Sequence, residues 1–141
     1  MSIKFINHAA EAQKAKDEAI ARALEMIGLQ AEGYAKEELS KPKPHADGSV
    51  RPNVDTGRLR NSITYATADS HSEGSFPAES SDYAVHSTPE SDEVAIGTNV
   101  EYAPYIEEGT SRSSAYPYLR PAVQEHIEEY RRIVLDQLKG L

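Results

Sequence analysis

The segment from Val94 to Pro121, VAIGTNVEYAPYIEEGTSRSSAYPYLRP, constrains this chain most, because it runs through strand, short helix, glycine stop, loop and helix start with almost no spare residues. Val94-Ala95-Ile96-Gly97-Thr98 is a short apolar, β-branched run that ends at a turn. Asn99 is placed to cap the helix that follows, Pro104 falls in its first turn where a missing N–H costs nothing, and Gly109 stands where a helix stop wants a left-handed residue. Tyr102, Tyr105 and Ile106 share one face of that helix. Glu107 and Glu108 lie at its C-terminal end, where the macrodipole disfavours negative charge. Either solvent screens them or a cation compensates; Arg112 and Arg120 are the nearest, and Arg58 or Arg60 of a neighbouring subunit is the alternative. The segment holds no nucleophile–base pair, metal cluster or phosphate loop, so its parts read as a surface.

Two long helices flank this core pattern. From about Asn7 to Leu39 the sequence is rich in Ala, Glu, Lys and Gln, has no proline, and is interrupted only by Gly28 and Gly33. Ile20, Leu24, Ile27, Ala31 and Tyr34 form a narrow apolar stripe, while Ala9, Ala12, Ala15, Ala19 and Ala23 offer small groups for close packing or for solvent. The second helix is expected over about 118–139. Pro117 and Pro121 bracket its opening, Ser114 is a candidate cap, and Gly140 is the stop. Val123, Ile127, Tyr130, Val134 and Leu138 predict the face that packs against the first helix. The run EHIEEYRR has acids early and bases late, as the dipole prefers, and reads as a solvated face.

Between these landmarks, Lys41 to Asn53 (KPKPHADGSVRPN) is proline-rich and reads as a flexible loop. Asp55 or Thr56 can cap a short helical turn in which Leu59 and Ile63 pair, followed by a strand over Ile63-Thr64-Tyr65-Ala66-Thr67. Asp55-Thr56-Gly57 is also the triplet that carries the catalytic carboxylate of aspartic proteases. Here it follows a polar proline loop and precedes Arg-Leu-Arg, which favours the cap. Residues 68–93 are dominated by Ser, Asp, Glu and Pro around one β-like patch, Tyr83-Ala84-Val85-His86, and predict a protruding loop or hairpin, either solvated or ordering on a partner.

A chain of 141 residues supports one domain, and its 38% hydrophobic content allows only a lean core. Eight tyrosines, two phenylalanines and no tryptophan bias it toward half-buried contacts. A formal charge of -8 opposes binding to a phosphate backbone. The absence of cysteine removes disulfides and thiolate zinc sites. His8, His45, His71, His86 and His126 have no ligand-like spacing and read as ordinary surface residues; no metal or cofactor is expected. No signal-like or membrane-length apolar run is present, so a soluble protein made in the cytoplasm is expected.

Four motifs occur in order: Asp55-Thr56-Gly57-Arg58-Leu59-Arg60-Asn61-Ser62-Ile63; Ala95-Ile96-Gly97-Thr98-Asn99; Tyr102-Ala103-Pro104-Tyr105-Ile106-Glu107-Glu108-Gly109-Thr110; and Pro117-Tyr118-Leu119-Arg120-Pro121-Ala122. Together they resemble the tail-component family of long-tailed bacteriophages named after gene product ten of the lambdoid phage HK-ninety-seven. The resemblance spans Asp55 to about Val123. It departs from the family pattern in the long Ser-rich segment and at Glu108, where an aromatic residue often precedes the Gly-Thr. It implies an α+β domain, two long helices on a small and mainly antiparallel sheet with short helices. It further implies a non-catalytic virion protein at the head–tail junction, assembled in the host cytoplasm. Such a protein would form a ring with copies of itself, following sixfold tail symmetry, between head-completion or connector proteins and the tail terminator or tail-tube proteins, with DNA passing through ungripped. On that reading Arg58, Arg60, Tyr102, Tyr105, Glu107, Glu108, Gly109, Thr110, Arg112, Tyr118 and Arg120 are the candidate interface residues. The tyrosines would give contact area and Glu107, Glu108, Arg112 and Arg120 the register. A monomeric adaptor or assembly-helper module and a small hydrolase using the Asp-Thr-Gly triplet are the rival classes.

Overall fold

A computed structural model describes residues 9–45, 47–52, 57–69, 89–112 and 114–141. Its spine is α1 (Ala9–Ser40), a 32-residue helix that matches the proline-free run. Leu24, Ile27 and Ala31 of the predicted stripe are buried, and the stripe continues through Ala35 and Leu39. Ala19 and Ala23 are fully buried, so part of the small-residue half serves close packing, while Ala9 and Ala12 are exposed. Gly28 is more than an interruption of the helix. A Cβ placed there would lie 2.5 Å from Tyr65 Cδ2 and 2.7 Å from Tyr65 Cγ, so the bare backbone is the seat for that ring.

The predicted flexible loop over residues 41–53 is corrected by a hairpin. β1 (Pro42–Pro44) pairs antiparallel with β2 (Val50–Pro52), with Lys43 opposite Arg51. Its turn closes because His45 N–H donates to Ser49 O (2.8 Å), Gly48 N–H donates to His45 O (3.0 Å), and Gly48 takes φ 85°. Three prolines remove ladder donors and keep the strands short, which is why composition alone reads as loop.

Next, α2 (Arg58–Ser62) begins after Gly57 at φ 69°, with no side-chain cap bond; Asp55 and Thr56 lie outside the described residues, as does the 83–86 patch. β3 (Thr64–Thr67) and β4 (Val94–Gly97) pair antiparallel, Tyr65 opposite Ile96, and pack on α1. The two small sheets and the helices give an α+β fold. α3 (Ala103–Glu108) has Pro104 in its first turn as expected. Tyr102, not Asn99, holds its cap position, without a side-chain cap bond. Thr98 Oγ1 accepts from Val100 N–H at 3.1 Å just upstream.

The single C-terminal helix expected over 118–139 is instead two, α4 (Leu119–Gln124) and α5 (Ile127–Lys139). The cap position of α4 is Tyr118, not Ser114. The break falls where His126 leaves helical geometry (φ -123°, ψ 20°) and its ring stacks on Tyr34, centroids 3.5 Å apart and planes 1° from parallel. Tyr130 spans the break by donating its hydroxyl to Ala122 O. The predicted packing stripe therefore splits: Tyr130, Val134 and Leu138 are half-buried toward α1, whereas Val123 and Ile127 are 44% and 48% exposed.

The core lies where α1, α2, α3 and α4 converge, around Leu39, Leu59, Ile63, Val100, Tyr118 and Leu119. Burying each large apolar side chain among these stabilises the fold by roughly 1.5–3 kcal/mol. Ser62 and Thr98 hydroxyls bond each other at the edge of this core and tie α2 to the end of β4.

Candidate subunit-interface surface

Gly109 ends α3 with φ 78° and ψ 177°, a region open essentially to glycine alone, and its N–H donates to Tyr105 O at 2.9 Å. The chain then leaves α3 as a loop and returns at Tyr116, whose N–H donates to Ile106 O at 2.8 Å. Arg112 N–H donates to Thr110 Oγ1 (3.2 Å) within the loop. The Tyr116 hydroxyl reaches Pro44 O and its ring stacks on His45 (5.6 Å), so the loop is also fastened to the β1–β2 hairpin.

Glu107 closes the base of this loop. It is 1% exposed; its Oε1 accepts from Leu119 N–H (2.7 Å), its Oε2 from Tyr118 N–H (3.1 Å), and Arg120 N–H also bonds the carboxylate. These donors are the first N–H groups of α4, left orphaned by helix geometry and electropositive at a helix start. The macrodipole problem posed by Glu107 at the end of α3 is thus resolved by backbone donors of the next helix, with the charge of Arg120 a smaller contribution. Burial pushes the Glu107 carboxyl above its ordinary value, opposed by those three bonds and by Arg120. Nothing in local sequence marks this pairing, because Glu107 lies outside the α4 segment that it caps.

Candidate residues sort by position. Tyr118 is fully buried, with its hydroxyl 3.4 Å from Ala103 O, and Glu107 is buried beside it. Tyr102 is half-buried, with the Arg58 guanidinium 5.8 Å from its ring centroid. Arg60 donates to Ser40 Oγ at 3.3 Å, which binds α2 to the end of α1. Gly109 is half-buried. Tyr105 (61% exposed), Glu108, Thr110, Arg112 and Arg120 remain outward on one short module. They are an aromatic anchor, one anion, one hydroxyl and two cations held on a rigid base, a composition suited to protein contact.

Among the described residues no three His, Asp or Glu side chains gather as a metal site. His45 bonds Arg51 O at 3.0 Å, and His126 lies on Tyr34 with Glu129 3.7 Å away. His8, His71 and His86 lie outside the described residues. No described helix is long and apolar enough to cross a membrane.

Residues 3–109 match the family model HK97-gp10_like, described as "Bacteriophage HK97-gp10, putative tail-component". The match takes in α1, the first two motifs and the third up to the Gly109 stop, and the fourth motif lies beyond it. No curated protein and no solved structure matches the chain.

Proposed function

We infer that this chain, which belongs to the HK97-gp10-like family of bacteriophage tail components, acts without catalysis as a neck or tail-completion subunit. In that role it joins head-connector proteins to the tail tube as a ring of copies. The observation that carries this reading is the α3–α4 module, where Glu107 fixes a rigid base and Tyr105, Glu108, Thr110, Arg112 and Arg120 face outward. Tyr105 would supply contact area while Glu108 and the two arginines set register against neighbours. The charge of -8 agrees with a ring through which DNA passes without being gripped.

Quantitative mass spectrometry of purified particles tests the role. Presence at low, portal-like stoichiometry supports it; absence from finished particles overturns it in favour of an assembly helper. Glu108→Arg tests the surface: exposed Glu108 carries no packing, so the variant is expected to fold normally and fail to assemble. Normal assembly of that variant, or its unfolding, would overturn the assignment.

A further inference from the structure

The last helix is seated off the axis of its own apolar face. Counting about 100° per residue along α5, its half-buried positions, Glu129, Tyr130, Ile133, Val134, Gln137 and Leu138, centre on the side turned to α1. Its apolar residues centre roughly 60° away from that direction, because Ile127 and Leu135 lie toward one flank and are 48% and 50% exposed. No residue of this 13-residue helix is buried. By contrast, α4 buries Leu119 and Ala122 and follows directly on buried Tyr118. The core cluster takes in residues of α1, α2, α3 and α4 and none of α5.

Side-chain clasps therefore carry much of the attachment of α5. At its start, the Tyr34 hydroxyl donates to Glu129 Oε2, the same oxygen lies 3.7 Å from His126 Nδ1, and the His126 ring lies flat on the Tyr34 ring. At its end, Arg22 Nε donates to Gln137 Oε1 at 3.2 Å and Gln137 Nε2 donates to Met26 Sδ at 3.5 Å, both in exposed positions. Bonds of this kind are readily replaced by water and contribute little net stability. The break between the helices supplies a hinge. There α4 closes as Glu125 N–H donates to Pro121 O (3.0 Å), and Tyr130 N–H starts α5 afresh on His126 O (3.0 Å). The Tyr130 hydroxyl, on Ala122 O, is a tie across it.

We propose that α5 is a strap that lifts off α1 as one unit about the break at Glu125 and His126, leaving the core around Tyr118 closed, and that the clasp of Tyr34, His126 and Glu129 sets how often it does so. Lifting breaks the clasps and the half-buried contacts but draws no fully buried side chain of α5 out of the fold, so it is a sub-global opening that costs less than unfolding. In the open state Tyr130, Val134 and Leu138 join Ile127 and Leu135 in one free apolar stripe. The surface chemistry at this end of the molecule thus depends on the position of the strap. The device follows from the packing of α5 alone and is independent of the proposed neck role.

Hydrogen exchange of the full-length chain in sub-denaturing urea, read by proteolysis and mass spectrometry, tests the strap. Amides of residues 130–139 are expected to exchange about tenfold or more faster than those of residues 35–39, the core-facing end of α1, and with a weaker urea dependence. Tyr34→Phe keeps the stack and removes the clasp bond; it should speed exchange over 130–139 roughly fivefold and leave 35–39 unmoved. Because the chain has no cysteine, Arg22→Cys with Gln137→Cys can be joined by a short bismaleimide, which should slow 130–139 to the rate of 35–39. Exchange over 130–139 at the rate and urea dependence of 35–39 in the parent protein overturns the proposal, as does a Tyr34→Phe effect equal in both segments. Fast exchange that survives the cross-link means that α5 frays in place without lifting, and overturns it too. The parent profile decides the opening by itself, so the proposal stays refutable even if a variant fails to fold.

Discussion

Replacing Glu107 by glutamine should cost the isolated protein about 2–4 kcal/mol of unfolding free energy at neutral pH. Each bond from Leu119 N–H (2.7 Å) and Tyr118 N–H (3.1 Å) ends on a different carboxylate oxygen. A bond to a charged partner contributes roughly 1.5–3 kcal/mol, and a buried donor left unpaired costs roughly 1–3 kcal/mol. A glutamine offers one acceptor and turns an NH2 toward the other N–H, so one bond is lost and one donor is stranded at a base where Tyr118 and Leu119 are buried. Relief of the desolvated charge offsets part of this loss, since burial is the largest influence on the Glu107 carboxyl and raises its pKa. That direction also fixes the pH dependence. With the folded pKa above the ordinary 4.5, the native state binds the proton more tightly than the unfolded chain, so the contribution of Glu107 is largest below that value and declines as pH rises through the folded pKa. Glutamine does not titrate, and the deficit of the variant should therefore widen on going from pH 7 toward about pH 5. Urea unfolding of both proteins at the two pH values measures this directly. A deficit under about 1 kcal/mol at neutral pH would refute the assignment of Glu107 as the buried cap of α4, and one that narrows in acid would refute burial as the dominant influence on its carboxyl.

Two further predictions concern Gly28 and the buried tyrosines Tyr65 and Tyr130. Gly28→Ala should destabilise by about 1–3 kcal/mol, since its Cβ would meet the Tyr65 ring at 2.5 Å and Val94 Cγ2 at 3.0 Å, whereas Gly33→Ala, with nothing within 4 Å, should stabilise by about 0.5–1 kcal/mol; equal effects in thermal melts would contradict the seat. Tyr65, pushed up to about 12 by burial and by its bond to Glu25, and Tyr130, pushed to about 12 chiefly by burial, should ionise last in a phenolate absorbance titration. Their native pKa values exceed the ordinary 10.0, so the stability they lend is whole below pH 10 and drains away between about 10 and 12; a urea midpoint that stays flat across that window would contradict it.

What was legible in the sequence was what depends on local chain chemistry. The Ala- and Glu-rich run without proline became α1, the β-branched Val94–Gly97 run became β4, and Pro104 and Gly109 delimit α3 where their backbone restrictions require. Hidden features depend on side chains meeting across the fold. The α4–α5 break follows from a ring on α1, Tyr34, stacking on His126, which no periodicity within 118–139 records. The 42–52 hairpin is held by a Gly48 turn and fastened by Tyr116, while its prolines give it the composition of a loop. Gly28 looks like a flaw in a helix until Tyr65 occupies the space it leaves.

Within the candidate surface the same division decides what a mutation can report. Glu107 and Glu108 are sequence neighbours with the same chemistry, yet successive helical positions turn by about 100°, and that rotation sends one carboxylate to the start of α4 and the other to solvent. The pair Tyr118 and Arg120 divides likewise, one ring in the core and one guanidinium outside. Substitutions at Glu107 or Tyr118 therefore act on the fold and will depress assembly only through it. Substitutions at Tyr105, Glu108 or Arg112 touch exposed side chains and should leave unfolding free energy within about 0.5 kcal/mol of the parent, as surface positions generally do. An assembly defect counts as evidence for the interface only at the second group, and only where the unfolding curve has not moved.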